Sequence, residues 1–258
     1  MSSSDGEQTS ALLERLPGLL ALDLEVRSTA MLTPSLRRLC LAGAHLESME
    51  AFAGQDLMLE VPAPGHANFR RRYTIRHLRH AAREVEVDVV LHGDGPGARF
   101  AKGATAGDRV AAIGPRGKIG LAEGCDWHLF CGDESAVPAI FAMIESLAPD
   151  AHAVAVLEVG GADDQLEPED ARCAPEVHWR HRTGEPGTGH ALTDAVTEIA
   201  LPAGRGHAYV FGELRQVAAA RAVLLERAVD AADIDHKAYW RRGTSNAAHG
   251  EPARPERD

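Results

Sequence analysis

No run of 18 or more apolar residues occurs in this chain of 258. A helix needs about that length to cross the hydrocarbon core of a bilayer, so no membrane-spanning helix is expected. Positive charge is also scarce: 27 Lys and Arg stand against 38 Asp and Glu, a formal net charge of −11. That balance argues against any general affinity for nucleic acid or anionic lipid. Cys40, Cys125, Cys131 and Cys173 show no C-x-x-C or C-x-x-H spacing, and the histidines show no H-E-x-x-H. The usual zinc and iron–sulfur patterns are thereby removed, no metal site is expected, and a reducing cytosol fits better than a disulfide framework. The opening MSSSDGEQTS has neither basic residues nor an apolar segment. No signal peptide is read there, and the expected location is the cytoplasm.

What is present is the composition of a globular protein, 45% apolar and 25% charged, long enough for one large domain or two ordinary ones. The first half reads as short β-rich runs: 22–28, 35–42, 56–62, 72–78, 84–92 and 107–115. In the clearest of them, Val85, Val87, Val89 and Leu91 share one face. Six such strands predict a small antiparallel barrel, interrupted by one helix-like piece at 96–104. Beyond the glycine-rich 114–124 the pattern changes to alternating strands and helices. Strands are expected at 127–131, 152–159, 176–181, 207–212 and 235–240, with a tight Gly132-Asp133 turn after the first. Val137, Ile140, Phe141, Ile144 and Leu147 fall on one face of a helix, and further helices are expected at 190–200 and 214–229. This alternation predicts a doubly wound parallel sheet. The expected division is a barrel over 11–118 and an α/β domain over 119–245, with disorder at 1–10 and 246–258.

Four stretches carry chemistry. In FRRRYTIRHLRH (69–80), Arg71 and Tyr73 are two apart and so share a strand face, while Thr74 points the other way. A guanidinium can grip a phosphate and an aromatic ring can lie on a planar heterocycle, which together would suit a flavin nucleotide. The same stretch also reads as a solvated basic edge strand, with Arg72 and Arg79 as ordinary surface residues. His92-Gly93-Asp94-Gly95-Pro96-Gly97 ends a strand and opens a helix, as an ordinary βα turn or as a phosphate cradle. Gly132-Asp133-Glu134-Ser135 follows the first strand of the α/β half, where a doubly wound fold binds dinucleotides, although G-x-G-x-x-G is absent there. Asp133 and Glu134 read equally well as helix caps. In Tyr239-Trp240-Arg241-Arg242-Gly243, at the end of the last strand, the two arginines either cover a ligand or form a solvated tail after a core aromatic pair.

Taken in order, these motifs resemble the siderophore-interacting proteins, flavin-dependent ferric-siderophore reductases of the ferredoxin–NADP reductase superfamily. The resemblance runs from Leu22 to Gly243. It rests on R-x-Y-T-x-R (Arg71 to Arg76), H-G-D-G-P (His92 to Pro96), G-D-x-x-x-x-P-A-I (Gly132 to Ile140), Phe211-Gly212-Glu213 and the Tyr239–Gly243 run.

The resemblance implies an FAD-binding barrel with Arg71, Tyr73, Thr74 and Arg76 around the isoalloxazine and phosphates. It places His92, Gly93, Gly95, Pro96 and Gly97 toward the pyrophosphate and adenosine. It further implies a second domain that brings NAD(P)H to the flavin through Gly132, Asp133, Glu134, Ser135 and Glu213. Ferric siderophore would be reduced by outer-sphere electron transfer with no catalytic side chain, and ferrous iron is held far less tightly by hard oxygen ligands. Arg70, Arg76, Arg241 and Arg242 are the candidate contacts to an anionic chelate. Two departures from the family pattern stand out: Ala98 replaces a serine and Met58 replaces a lysine. Glu158 would favour NADH, whereas Arg180 and Arg182 would meet a 2′-phosphate, and the balance leans to NADPH. A ferredoxin as electron donor, another acceptor on the same fold, and a non-catalytic chelate- or flavin-binding module are the alternatives.

Overall fold

A computed structural model describes residues 19–62 and 68–244. The expected disorder at 1–10 and 246–258 lies outside the described residues. The described residues fall into two compact units, 19–32 with 36–118 and, in the second, 119–244 with the short piece Thr33–Ser35.

The first unit holds β1 (Leu20–Met31), β2 (Leu36–Ala42), β3 (Asp56–Val61), β4 (Phe69–Thr74), β5 (His77–Arg79), β6 (Glu84–Val90) and β7 (Arg109–Arg116), with helix α1 (Pro96–Gly103) before β7. All pairs are antiparallel, in the order β4-β3-β7-β1-β2-β6-β5. In β6, Val85, Val87 and Val89 enter the core with Leu24, Leu39, Leu57 and Leu59, as the two-residue period requires.

The sequence predicts six strands; the sheet has seven among the described residues, because the run at 72–78 is broken. Ile75 N–H still donates to Gln55 O on the β3 side at 2.9 Å, but Arg76 N–H donates to Glu86 O of β6 at 2.8 Å. The chain changes partner strand between these two residues. Since β4 and β5 are the two ends of the sheet order, the sheet curls until its edges meet at this corner.

The second unit contains β8 (Trp127–Asp133), α2 (Val137–Glu145), β9 (His152–Val159), β10 (Glu176–His181), α3 (Ala191–Glu198), β11 (Gly206–Glu213), α4 (Leu214–Glu226) and β12 (Ile234–Trp240). The order is β10-β9-β8-β11-β12 with every pair parallel. β8 and β11 are buried along their whole lengths, as expected of central strands covered on both faces. Succession reverses between β8 and β11, which makes their C-terminal ends the topological switch point. Gly132 and Asp133, expected as a turn, are the last two residues of β8. A Cβ at Gly132 would run into Ala136 Cβ and Phe211 O, so glycine there lets the chain fold back tightly into α2. No helix among the described residues is long and apolar enough to cross a membrane.

Candidate functional site

In the first unit, two of the sequence motifs meet. Phe69 and Tyr73 of β4 pack against the core cluster, and Arg71 lies between them in the strand with its guanidinium 5.3 Å from the centre of the Phe69 ring. The turn from β6 into α1 comes back over this strand. A Cβ at Gly97 would collide with the Tyr73 hydroxyl and would stand 3.4 Å from Arg71 Cγ. Glycine at 97 is therefore demanded by the close approach of α1 to β4. His92, Gly93 and Gly95 are exposed, and a Cβ at either of these two glycines would meet nothing within 4 Å.

Gly93 has φ 62°, the left-handed region that favours glycine. Gly95 is the extended N-cap of α1, no side chain among the described residues caps it, and Pro96 follows in the first turn. Lys102 Nζ donates to Gly93 O at 3.0 Å and ties the turn to its own helix. An open glycine turn, a helix N-terminus without a side-chain cap, a guanidinium and a phenol thus come together. First-turn N–H groups and the helix dipole favour an anion at such a place. Burial pushes the Tyr73 phenol up to about 12, so it stays a neutral donor at working pH, and burial also draws Arg71 below its ordinary value. These residues fit the phosphates and ring of FAD. At Ala98 only backbone is available where the family pattern has a hydroxyl.

The remaining arginines of the opening motif go elsewhere. Arg72 forms a two-pronged pair with the buried Asp56, Nε to Oδ1 at 2.7 Å and Nη2 to Oδ2 at 2.6 Å. The solvated-edge expectation for Arg72 is thus corrected: β3 places a buried acid diagonally across from it, two residues along from its register partner Met58. Arg70 pairs more loosely with Glu60 at 3.3 Å. Arg76, expected beside the flavin, has a side chain only 2% exposed, with Asp88 Oδ2 at 4.0 Å and His77 Nε2 at 2.9 Å.

In the second unit, Gly132, Asp133, Glu134, Ser135 and Glu213 do gather at the switch point, but their side chains grip one another. Asp133 Oδ1 accepts from Ser135 N at 2.9 Å and Ser135 Oγ at 2.5 Å. Its Oδ2 accepts from Glu213 N at 2.8 Å and Trp240 Nε1 at 2.9 Å. One buried carboxylate thereby ties the ends of β8, β11 and β12. Glu213 caps α4 through Arg215 N and Gln216 N, and its Oε1 receives Arg242 N at 3.2 Å. Helix α2 is instead capped at Ala136, with no side-chain bond among the described residues. Neither Asp133 nor Glu134 serves as its N-cap.

Glu134 is paired to Arg182. Glu158 is 1% exposed and accepts from Gln216 Nε2 at 3.3 Å. Burial raises all three of Asp133, Glu134 and Glu158 above the ordinary carboxylate range. Arg182 opposes the rise at Glu134, and Gln216 opposes it at Glu158. The expectation that Glu158 meets a ribose is corrected, since it lies under Gln216. Arg180 donates to Trp179 O, and Arg241 is exposed. Trp240 is the residue that sequence reasoning missed: its indole N–H serves the buried Asp133, and no local signal marks that role.

A family model described as siderophore-interacting FAD-binding domain matches residues 58–119, and one described as siderophore-interacting protein matches 125–243. An uncharacterized protein of Mycobacterium tuberculosis is 40% identical over 185 residues, covering 67% of this chain and 65% of that relative, so the match spans just under two thirds of its length. The ferric vibriobactin reductase ViuB of Vibrio cholerae is 35% identical over 196 residues, 73% of this chain and 70% of ViuB. Among solved structures, a siderophore utilization protein from T. fusca is similar with TM-score 0.83 and 31% identity, covering 90% of this chain and 97% of that one. The siderophore-interacting protein SipS of Aeromonas hydrophila follows with TM-score 0.77 and 28% identity, over 89% and 94%. On two family models in tandem and a relative and a structure above 30% identity over most of their lengths, this chain belongs to the siderophore-interacting protein family.

Proposed function

We propose that the protein is an FAD-dependent reductase that takes electrons from NAD(P)H and delivers them to ferric siderophores in the cytoplasm, releasing ferrous iron. The observation that carries the proposal is the convergence of Arg71, Tyr73 and the Gly93–Gly97 turn in the first unit. The relative named as a ferric vibriobactin reductase, and a shorter match to an NADPH-dependent ferric-chelate reductase of Escherichia coli, support it.

In this reading Arg71 and the first-turn N–H groups of α1 hold the pyrophosphate, and Tyr73 and Thr74 orient the ring system. The bound flavin supplies the step from a two-electron donor to one-electron acceptance by iron. The protein's part is positioning and charge; no side chain needs to break a substrate bond. Arg70, Arg241 and Arg242 are assigned to an anionic chelate. The C-terminal ends of β8 and β11 receive the nicotinamide nucleotide through backbone, because the carboxylates there are already satisfied by the protein. With Glu158 buried and Arg180 on the neighbouring strand, the preference is for NADPH.

The test is direct. Purified protein should be yellow or take up FAD, bleach more readily with NADPH than NADH, and release iron from hydroxamate or catecholate chelates into a ferrous-specific dye. Comparing these donors with a reduced ferredoxin fixes the electron source. Arg71→Ala should weaken FAD about ten- to a hundredfold, the range for losing a charge-assisted hydrogen bond. Colourless protein with no FAD affinity would overturn the proposal.

A further inference from the structure

The corner at which the chain leaves β3 for β6 is held by a buried ion network. Arg38 of β2 grips Asp88 of β6, Nε to Oδ1 at 2.7 Å and Nη2 to Oδ2 at 2.8 Å, and reaches Glu86 Oε2 at 3.3 Å. Arg76 joins from the corner, 4.0 Å from Asp88, whose side chain is 3% exposed. Between these groups stands His77. Its Nδ1 is 2.8 Å from Glu86 Oε2, and its Nε2 is 2.9 Å from Arg76 Nη1.

Chemistry chooses the proton's place. A guanidinium can only donate, so Nε2 must accept. An ionised carboxylate can only accept, so Nδ1 must carry the hydrogen. Glu86 is ionised: bonds from Arg79 and His77, with Arg38 close by, outweigh its desolvation and hold it below the usual carboxylate range. Both constraints select one neutral tautomer. A second proton, on Nε2, would turn two donors against each other. It would also add a fourth positive charge to Arg38, Arg76 and Arg79, against Glu86 and Asp88. The other ionisable groups near the ring's carboxylate partner are Glu84 on β6 and Cys40 on β2, and burial pushes that thiol up to about 11.

We propose that His77 is a positioning residue for the flavin strand: as a neutral imidazole it bridges Glu86 to Arg76 and so fixes the corner from which Tyr73 and Thr74 project. The proposal rests on the flavin reading above. It reassigns the second arginine of R-x-Y-T-x-R from cofactor contact to support, because its guanidinium is buried among protein groups. Protonation of His77 then breaks the bridge and weakens FAD binding.

FAD affinity of the full chain should be measured from pH 8 to pH 5.5 for the natural protein and for His77→Gln, whose amide can accept from Arg76 but cannot take a proton. The natural protein is expected to lose about tenfold in affinity across the range where imidazole titrates, while His77→Gln stays nearly flat. Identical pH profiles would overturn the proposal. Nitrogen NMR of labelled histidine in the natural chain checks the tautomer without any variant: hydrogen on Nδ1 at pH 8 is expected, and hydrogen on Nε2 would overturn it. If neither protein binds FAD at pH 8, the flavin reading fails instead. Thermal midpoints then test the bridge alone, with a loss on acidification in the natural chain but not in His77→Gln expected, and parallel curves overturning it.

Discussion

The hydroxyl of Tyr73 occupies the space that a Cβ on Gly97 would need. Substituting Gly97 by alanine sets two effects against each other. Alanine in a helix gains up to about 1 kcal/mol over glycine, and less in the first turn. Forcing a methyl into a closed contact costs about 1–3 kcal/mol. The clash wins, because Tyr73 is packed against the core and cannot swing away freely. Gly97→Ala should weaken FAD about tenfold, read by titration of the apoprotein, and lower the urea midpoint by the equivalent of about 1–2 kcal/mol. Gly103→Ala, at the far end of α1 where a Cβ also meets nothing, is the control and should leave affinity within about twofold.

Neighbouring arginines on β4 should behave in opposite ways. Arg72 neutralises Asp56, which is 5% exposed, through two short bonds. Removing one partner of a buried pair strands the other charge, at a cost of about 3 kcal/mol or more. Arg70 has a side chain 34% exposed and a longer bond to Glu60. Such surface pairs contribute about 1 kcal/mol or less. In urea unfolding, Arg72→Ala should therefore lower stability clearly while Arg70→Ala barely moves it.

That contrast shows what could be read from the residues alone. Valine alternation in β6 and the apolar face of α2 follow from local period, so both were legible. The partner change at Ile75 and Arg76 was not, because β-rich residues run straight through it and only the distant Gln55 and Glu86 decide where the strand ends. For the same reason Arg72 looked like surface charge and Arg76 like a flavin contact: a buried ion pair is invisible until its partner strand is known. The glycine turn and the R-x-Y-T strand were each visible in the sequence. Their meeting at Gly97 and Tyr73 is a tertiary fact with no local signal.

Asp133 should be the least replaceable side chain of the second unit. Each of its oxygens faces two donors, Ser135 N and Oγ on one side and Glu213 N and Trp240 Nε1 on the other. Asparagine with its NH₂ group toward Glu213 N and Trp240 Nε1 faces two donors; turned the other way it still opposes Ser135 N–H, although the Ser135 hydroxyl can turn to accept. Asp133→Asn should cost about 3–5 kcal/mol in this buried site. Trp240→Phe removes one donor but leaves the carboxylate bonded three times, and should cost about 1–2 kcal/mol. Urea unfolding followed by far-UV circular dichroism should rank them in that order; equal effects would mean that Asp133 does not act as the shared acceptor.

Glu158 offers a substitution expected to stabilise. Its carboxylate is almost wholly buried, and burial raises its pKa, with only partial relief from Gln216. Gln216 Oε1 has no hydrogen-bond partner among the described residues. Glutamine at 158 would remove the buried charge and bring an NH₂ group that can donate to that oxygen. Because the folded-state pKa is raised, the folded protein binds more protons than the unfolded chain between the two pKa values. The Glu158 contribution to stability is then greatest below the unfolded pKa and is lost as pH rises through the folded one. Glu158→Gln should accordingly raise stability at pH 8, by about 1 kcal/mol from the hydrogen bond gained at that oxygen. The gain should shrink as pH falls into the carboxylate range, where the natural side chain is itself neutral. Urea midpoints at pH 8 and pH 5 measure both the gain and its decline. A benefit that grows on acidification would contradict the raised pKa.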